Sequence, residues 1–415
     1  MSALVAAAAL ALLAVLAGNL LRLPVLSAGT KAAGLLPLDL VVVAILALGA
    51  LQAVRERQWR LDRPMQWALA FVTVAALGLV TAPVRVGLSL REVLFAGAYL
   101  VRWTAYLGVG LVLGSFLRGR EALQLVRLFG VMVLLFAGFG IVQSLVLPGF
   151  AQWVYPEAAV YLDWDPQGHR LVSTFLDPNY AGILIATGLC WWGGRLVAGA
   201  RAPLWEGLIL GVALLLTLSR GAMLAFGCAA VTLVVARGVS RRVLRAALAA
   251  LGVLAVVSPL VIRYAAPYGK LVVDISALQR LLNWERAWRM LADYPLLGIG
   301  FNTTGFLQAR YGWTVVGSAS FGLDGGLLFI ATLTGVLGFG CFVMMLVSLW
   351  RSARALSRRE DRRVEERAVG YAAAASVVAV TVQATFANTL LLALMLVPCW
   401  ILWSAPLSLH AVEEP

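Results

Sequence analysis

Cysteine, histidine, lysine and charge are all scarce in this chain of 415 residues. The four cysteines, Cys190, Cys228, Cys341 and Cys399, fall inside apolar runs, and no CxxC pair exists. With only two histidines, His169 and His410, neither a zinc site nor a disulfide framework is expected. No GxxxxGK[ST] phosphate loop occurs, so nothing supports an ATPase or a pump driven by one. Charged residues make up 13% of the chain against 62% hydrophobic, and the mean hydropathy is +0.90. A soluble domain of this size does not become that apolar, and runs of about twenty apolar residues recur throughout. The fold class expected is an all-α polytopic membrane protein. The net charge of +13 then concerns orientation and lipid headgroups, not nucleic acid. Arginine outnumbers lysine 31 to 2, a skew that reads as coding bias until position says otherwise.

Apolar runs of about 17–25 residues number twelve: 3–20, 34–53, 65–81, 92–114, 128–147, 178–194, 203–218, 221–236, 246–262, 325–349, 369–387 and 389–405. The first lacks a basic leader and a cleavage site, so it reads as a retained span. The seventh and eighth are separated only by Ser219-Arg220 and are expected to form a tight helical hairpin. The loops 54–64, 115–127, 195–202, 237–245 and 351–368 hold 20 arginines, against 12 lysines and arginines on the longer opposite side. By the positive-inside rule the dense, short loops face the cytoplasm and both termini lie inside. The reading is one transmembrane domain over 1–415 with two loops on the outer or periplasmic face, a smaller one at 148–177 and a large one at 263–324.

The large loop organises the rest. Ser276 followed by Gln279 is a capping box, and Pro295 disfavours helix at Tyr294, which predicts an amphipathic helix over about 277–293. Arg280, Trp284 and Trp288 recur at four-residue spacing and are expected to share a face, with Arg286 and Arg289 on neighbouring faces. Arginines beside indoles suit a ligand that is anionic at one end and sugar-like at the other. Arg170 and Arg220 also sit on the outer side, close to the membrane, where an arginine snorkels, pairs or binds an anion. A diphosphate matches the guanidinium fork. Asp324, in Phe321-Gly-Leu-Asp324-Gly-Gly where the loop re-enters the membrane, is either a base or the N-cap of the tenth span. Asp177 before Pro178 reads equally as a cap, and Glu285 with Arg289 equally as a structural i,i+4 pair. Arg102 lies inside the fourth span and has Asp39 as a candidate partner. Trp153, Tyr155, Tyr161 and Trp164 fit an aromatic belt better than a sugar platform, and Asp163-Trp164-Asp165 fits solvated loop acids better than a metal site. No metal or cofactor is expected.

Four pieces in order resemble the O-antigen polymerase and O-antigen ligase family, integral-membrane glycosyltransferases of the class C type. They are Arg170…Thr174-Phe-Leu-Asp177-Pro178-Asn179, Leu218-Ser219-Arg220-Gly221, Arg280…Trp284…Pro295-Leu-Leu-Gly298-Ile-Gly300, and Asp324…Leu327…Thr334-Gly335-Val-Leu-Gly338. The resemblance implies a glycan donor linked through diphosphate to undecaprenol, a glycan acceptor, surrounding membrane lipids, and a chain-length regulator as a further partner. It implies that Arg170, Arg220 and Arg280 grip the diphosphate, with Arg286 and Arg289 in support, and that Trp284, Trp288 and Asn179 are candidates for sugar contact. Ligases of this family carry a histidine near the end of the large loop. Here 318–326 has none, and Asp324 stands at about its place. That departure favours a polymerase over a ligase. A secondary transporter is the rival class, but such carriers favour two similar halves with polar groups at the midplane. In this chain the polar residues gather at the outer surface.

Overall fold

The computed structural model describes residues 2–28, 31–56, 59–154, 170–238, 275–313 and 325–410. Helices dominate. In chain order they are α1 (Ala3–Ala17), α2 (Pro37–Glu56), α3 (Arg63–Val80), α4 (Ala82–Val86), α5 (Leu90–Phe116), α6 (Gly119–Val146), α7 (Phe150–Val154), α8 (Pro178–Ala198), α9 (Leu204–Leu216) and α10 (Arg220–Ala236). They continue as α11 (Ile275–Asp293), α12 (Thr304–Arg310), α13 (Gly326–Arg358), α14 (Val364–Gln383) and α15 (Ala393–His410). A two-stranded antiparallel hairpin, β1 (Leu23–Ala28) with β2 (Lys31–Leu35), joins α1 to α2. The chain is a polytopic membrane protein: eight of these helices are long and apolar enough to cross a membrane. Helices stand at eleven of the twelve expected spans, and the ninth, 246–262, lies outside the described residues. Two of the eleven are short. At 1.5 Å per residue α9, with 13 residues, reaches only about 20 Å, less than the hydrocarbon thickness.

Local chemistry sets many of the helix starts. Ser89 and Glu92 form a reciprocal capping box on α5, with Glu92 Oε2 accepting from the Ser89 amide at 2.7 Å. Asp177 caps α8 ahead of Pro178, and Ser219 caps α10. Packing between helices relies on small residues. α14 is lined by Ala372, Ala373, Ala374, Ala375 and Ala379, all buried, and it lies so close to α8 that a Cβ on Gly194 would stand 2.7 Å from Ala368 O. In a bilayer, where burial among lipid tails gains nothing over burial among leucines, this close backbone approach supplies the dispersion contacts that hold helices together.

The seventh and eighth spans do not form the expected tight hairpin. The chain reverses at Thr217–Ser219, but α10 then packs on α14 and α8 while α9 packs on α8 and α6. The small residues of α14 offer α10 a closer approach than α9, whose outward face carries Leu204, Leu208, Val212 and Leu215, all exposed.

One helix is interrupted. Within α13, Gly335 adopts φ 64°, ψ −174°, which breaks the hydrogen-bond ladder. The freed groups are taken up by the segment 295–300, the Pro-Leu-Leu-Gly-Ile-Gly stretch after α11. Ile299 N–H donates to Thr332 O (3.0 Å), Gly300 N–H to Leu333 O (3.1 Å), and Val336 N–H to Pro295 O (2.8 Å). A Cβ on Gly335 would sit 2.2 Å from Leu296 O, and one on Gly298 2.5 Å from Thr332 O, so both glycines are dictated by backbone-to-backbone approach. Irregular backbone at this depth is tolerated because protein groups, not lipid, satisfy it.

Candidate active site

The stretch 170–180 is fixed from both sides. Arg170 Nε donates to Thr217 O at 2.9 Å, and the Leu171 amide donates to Leu216 O at 2.9 Å, which ties it to the end of α9. Gln143 Oε1, buried on α6, accepts from the amides of Val172 and Ser173. Asp177 Oδ1 accepts from the amides of Asn179 (2.7 Å) and Tyr180 (3.1 Å), so its carboxylate serves as the α8 cap. Asn179 Oδ1 accepts from Ser219 Oγ at 2.8 Å, joining the starts of α8 and α10. Arg220, the first residue of α10, is exposed directly after that junction. The structure therefore brings Arg170 and Arg220 to one three-residue connection although 50 positions separate them in the sequence.

On α11 the buried stripe is Asn283, Ala287, Met290 and Leu291. Arg280 and Trp284 lie half-buried on one flank of it. Trp288 does not share their face: it is 62% exposed. Four residues advance a helix by about 400°, so each step of four drifts roughly 40°, and two steps carry Trp288 out of the stripe. Arg286 lies on the opposite flank, where its Nη1 donates to Gln308 Oε1 (3.2 Å) and its guanidinium stands 5.2 Å from the Trp313 ring. Arg289 faces away from the protein and pairs with Glu285, both more than half exposed. Beyond Asp293, Tyr311 donates its hydroxyl to Asp293 Oδ2 at 2.6 Å; burial, then that carboxylate, hold the phenol above its ordinary range.

These pieces converge on the corner between α14 and α15, residues 384–392. Leu327 N–H, at the start of α13, donates to Ala384 O at 2.9 Å. The indole Nε1 of Trp284 lies 2.6 Å from where Gly325 would carry a Cβ, and Thr385 O lies 3.2 Å from the same point. Gln383 Oε1 is 2.6 Å from the Cβ position of Gly221, the neighbour of Arg220. The starts of α8, α10 and α13, the Arg280–Trp284 flank of α11 and the end of α14 thus meet at one end of the bundle. Two arginines that the sequence did not single out moor this assembly. Arg85 donates to Gly298 O (2.8 Å), Gly78 O (2.7 Å) and Thr81 Oγ1 (2.9 Å), and Arg310 donates to Val86 O (2.7 Å) and pairs with Glu92 at 3.3 Å. Gln383, Asn388 and Thr389 were also passed over. Their signal was present as five polar residues, with Thr381 and Thr385, in the otherwise apolar stretch 377–397.

Asp324 lies outside the described residues, as do Asp163, Asp165, Tyr155, Tyr161 and Trp164 and the side chain of Ser276. Among the described residues no three His, Cys, Asp or Glu side chains gather to hold a metal ion.

Residues 207–343 match the family model described as O-antigen ligase. The match spans about a third of the chain and supports glycosyl transfer of the kind carried out by O-antigen ligases and polymerases. A comparison with curated proteins gives no match. The O-antigen ligase region opens inside α9 and closes inside α13. It holds Arg220, Arg280, Trp284 and the Gly335 interruption, while Arg170, Asn179 and the 383–392 corner pack against it from outside.

Proposed function

We propose that this chain polymerises O-antigen or exopolysaccharide repeat units, taking glycan from undecaprenyl diphosphate and releasing that lipid. The observation that supports this reading is that Arg170 and Arg220 stand at the 217–220 connection, while Arg280 lies one turn before Trp284, whose indole reaches the corner that Gln383 joins to Gly221. Of the carboxylates nearby, Asp177 caps α8 and Glu285 pairs with Arg289. That end is opposite the arginine-rich loops at 195–203 and 351–363, which supports its being the periplasmic or outer face.

In the reaction an acceptor hydroxyl forms a bond to the donor's anomeric carbon as the bond from that carbon to the diphosphate oxygen breaks. The electron pair leaves with the diphosphate, where preorganised arginines stabilise the added charge in place of a divalent cation. The acceptor's proton passes to a base, for which Asp324 is the proposed group. Arg286, Arg289 and Trp288 are outer contacts in this scheme, since they flank the Arg280–Trp284 side of α11, while Asn179 stands at the junction beside Arg220. The second reading, transfer to lipid A core or another acceptor, is favoured by the description of the matched model; the aspartate at the histidine's place favours the polymerase.

Reconstitution with a purified lipid-linked repeat separates the readings as laddered polymer, a single transfer to another acceptor, or vectorial uptake. Arg220→Ala and Arg280→Ala should each abolish chain extension while membrane insertion stays intact. Normal polymer from both variants would end the proposal.

A further inference from the structure

Three polar side-chain atoms around the α14–α15 corner are shielded from solvent and have no hydrogen-bond partner among the described residues: Trp284 Nε1, Gln383 Oε1 and Asn388 Oδ1. Gln383 is 1% exposed. The atoms sit in one neighbourhood. Trp284 Nε1 and Asn388 Cα lie 2.6 and 3.2 Å from the Cβ positions of the adjacent residues Gly325 and Gly326, and Gln383 Oε1 lies 2.6 Å from that of Gly221. Thr389 Oγ1, also buried and unpartnered, follows Asn388. Buried polar groups in folded proteins are nearly always satisfied, so several orphans in one place point to a partner that is not part of the chain.

The chemistry of the set selects that partner. Two carbonyl oxygens need donors and repel a phosphate oxygen, while the indole N–H needs an acceptor. A sugar ring offers both, through hydroxyls that donate and accept and through an acetamido group. Gly221 adjoins Arg220, so a ligand spanning the two places its phosphate and its sugar side by side. A sugar bonded directly to diphosphate requires that order.

We infer that the α14–α15 corner, with Trp284 opposite it, is the subsite for the first sugar of the lipid-linked glycan; this rests on the diphosphate reading above. Gln383 and Asn388 accept from its hydroxyls or amide, and Trp284 donates to it. The contact of Trp284 with Gly325 parts to admit the ring, which exchanges unsatisfied groups for satisfied ones.

Binding in nanodiscs to two probes tests this: polyprenyl diphosphate alone, and the same lipid carrying one N-acetylhexosamine. Gln383→Met and Asn388→Leu should each weaken the sugar-bearing lipid about tenfold, one buried hydrogen bond's worth, and leave the bare lipid unchanged. Arg220→Ala should weaken both. Because its oxygen has no partner to lose, Gln383→Met should melt no lower than wild type without lipid; a lower melting point makes the residue structural and overturns the inference. Equal affinities for the two lipids in the wild type, or variants that weaken both or neither, overturn the sugar subsite and leave the diphosphate reading standing. A wild type that binds neither lipid overturns both.

Discussion

Arg102 shows what a single charge inside a span needs. Its Nε and Nη2 donate to the two oxygens of Asp39, each at 2.8 Å, and Asp39 also accepts from Tyr106 Oη (2.9 Å) and the Leu36 amide (2.7 Å). The pair suspected from the sequence is therefore real, and it cross-links α2 to α5. A bidentate, multiply hydrogen-bonded pair is costly to break from one side, because the surviving charge is left without compensation. Arg102→Ala should destabilise the protein by about 3 kcal/mol, read as a lower melting temperature in detergent. Replacing both partners with apolar residues, Asp39→Leu with Arg102→Met, should recover most of that loss. An equally low melting point for the double variant would show that the ion pair itself is the source of stability. Asp177 and Glu285 follow the same logic. Each had a structural reading beside a chemical one, and the structural contact is present in both, a cap for Asp177 and an i,i+4 pair for Glu285.

Among the elements, α13 with its inserted segment 295–300 is the part most exposed to a single change. Gly335→Ala places a methyl 2.2 Å from Leu296 O at a backbone conformation that other residues avoid. The strain should cost roughly 1–3 kcal/mol or expel the 295–300 segment from the break. Increased cleavage there in limited proteolysis, together with lost transfer activity, is the expected outcome. Gly340→Ala, in the same helix with nothing near its Cβ position, is the control and should leave both unchanged. The motif Pro295-Leu-Leu-Gly298-Ile-Gly300 was legible as a family feature, but its purpose was not. A sequence reports that glycines are present, and only packing reports that two backbones touch. Trp288 marks the opposite limit: the four-residue rule held for one step and failed at the second, because rotation accumulates along the helix.

For the whole molecule, the alternation of helices puts the described basic loops 195–203 and 351–363 at one end and the candidate site at the other. Cysteine labelling with a membrane-impermeant maleimide in intact cells, with the four native cysteines replaced, reads this directly. Gln152→Cys should react without permeabilisation and Glu360→Cys only after it. The reverse pattern would place the arginines in the cytoplasm, where no exported glycan is assembled by this route.

The sequence by itself determined that the chain lies in a membrane, where most helices begin and end, and which arginines to watch. Those properties depend on apolar run length and on caps, prolines and hydrogen bonds acting within about four residues. Tertiary structure alone decided that α10 leaves α9 for α14, that α13 is broken to receive 295–300, and that the corner at 383–392 gathers helices whose residues are up to about 200 positions apart. Such meetings are governed by how closely backbones approach across small residues and by which freed amides find carbonyls. Neither quantity is a property of any short stretch of the chain.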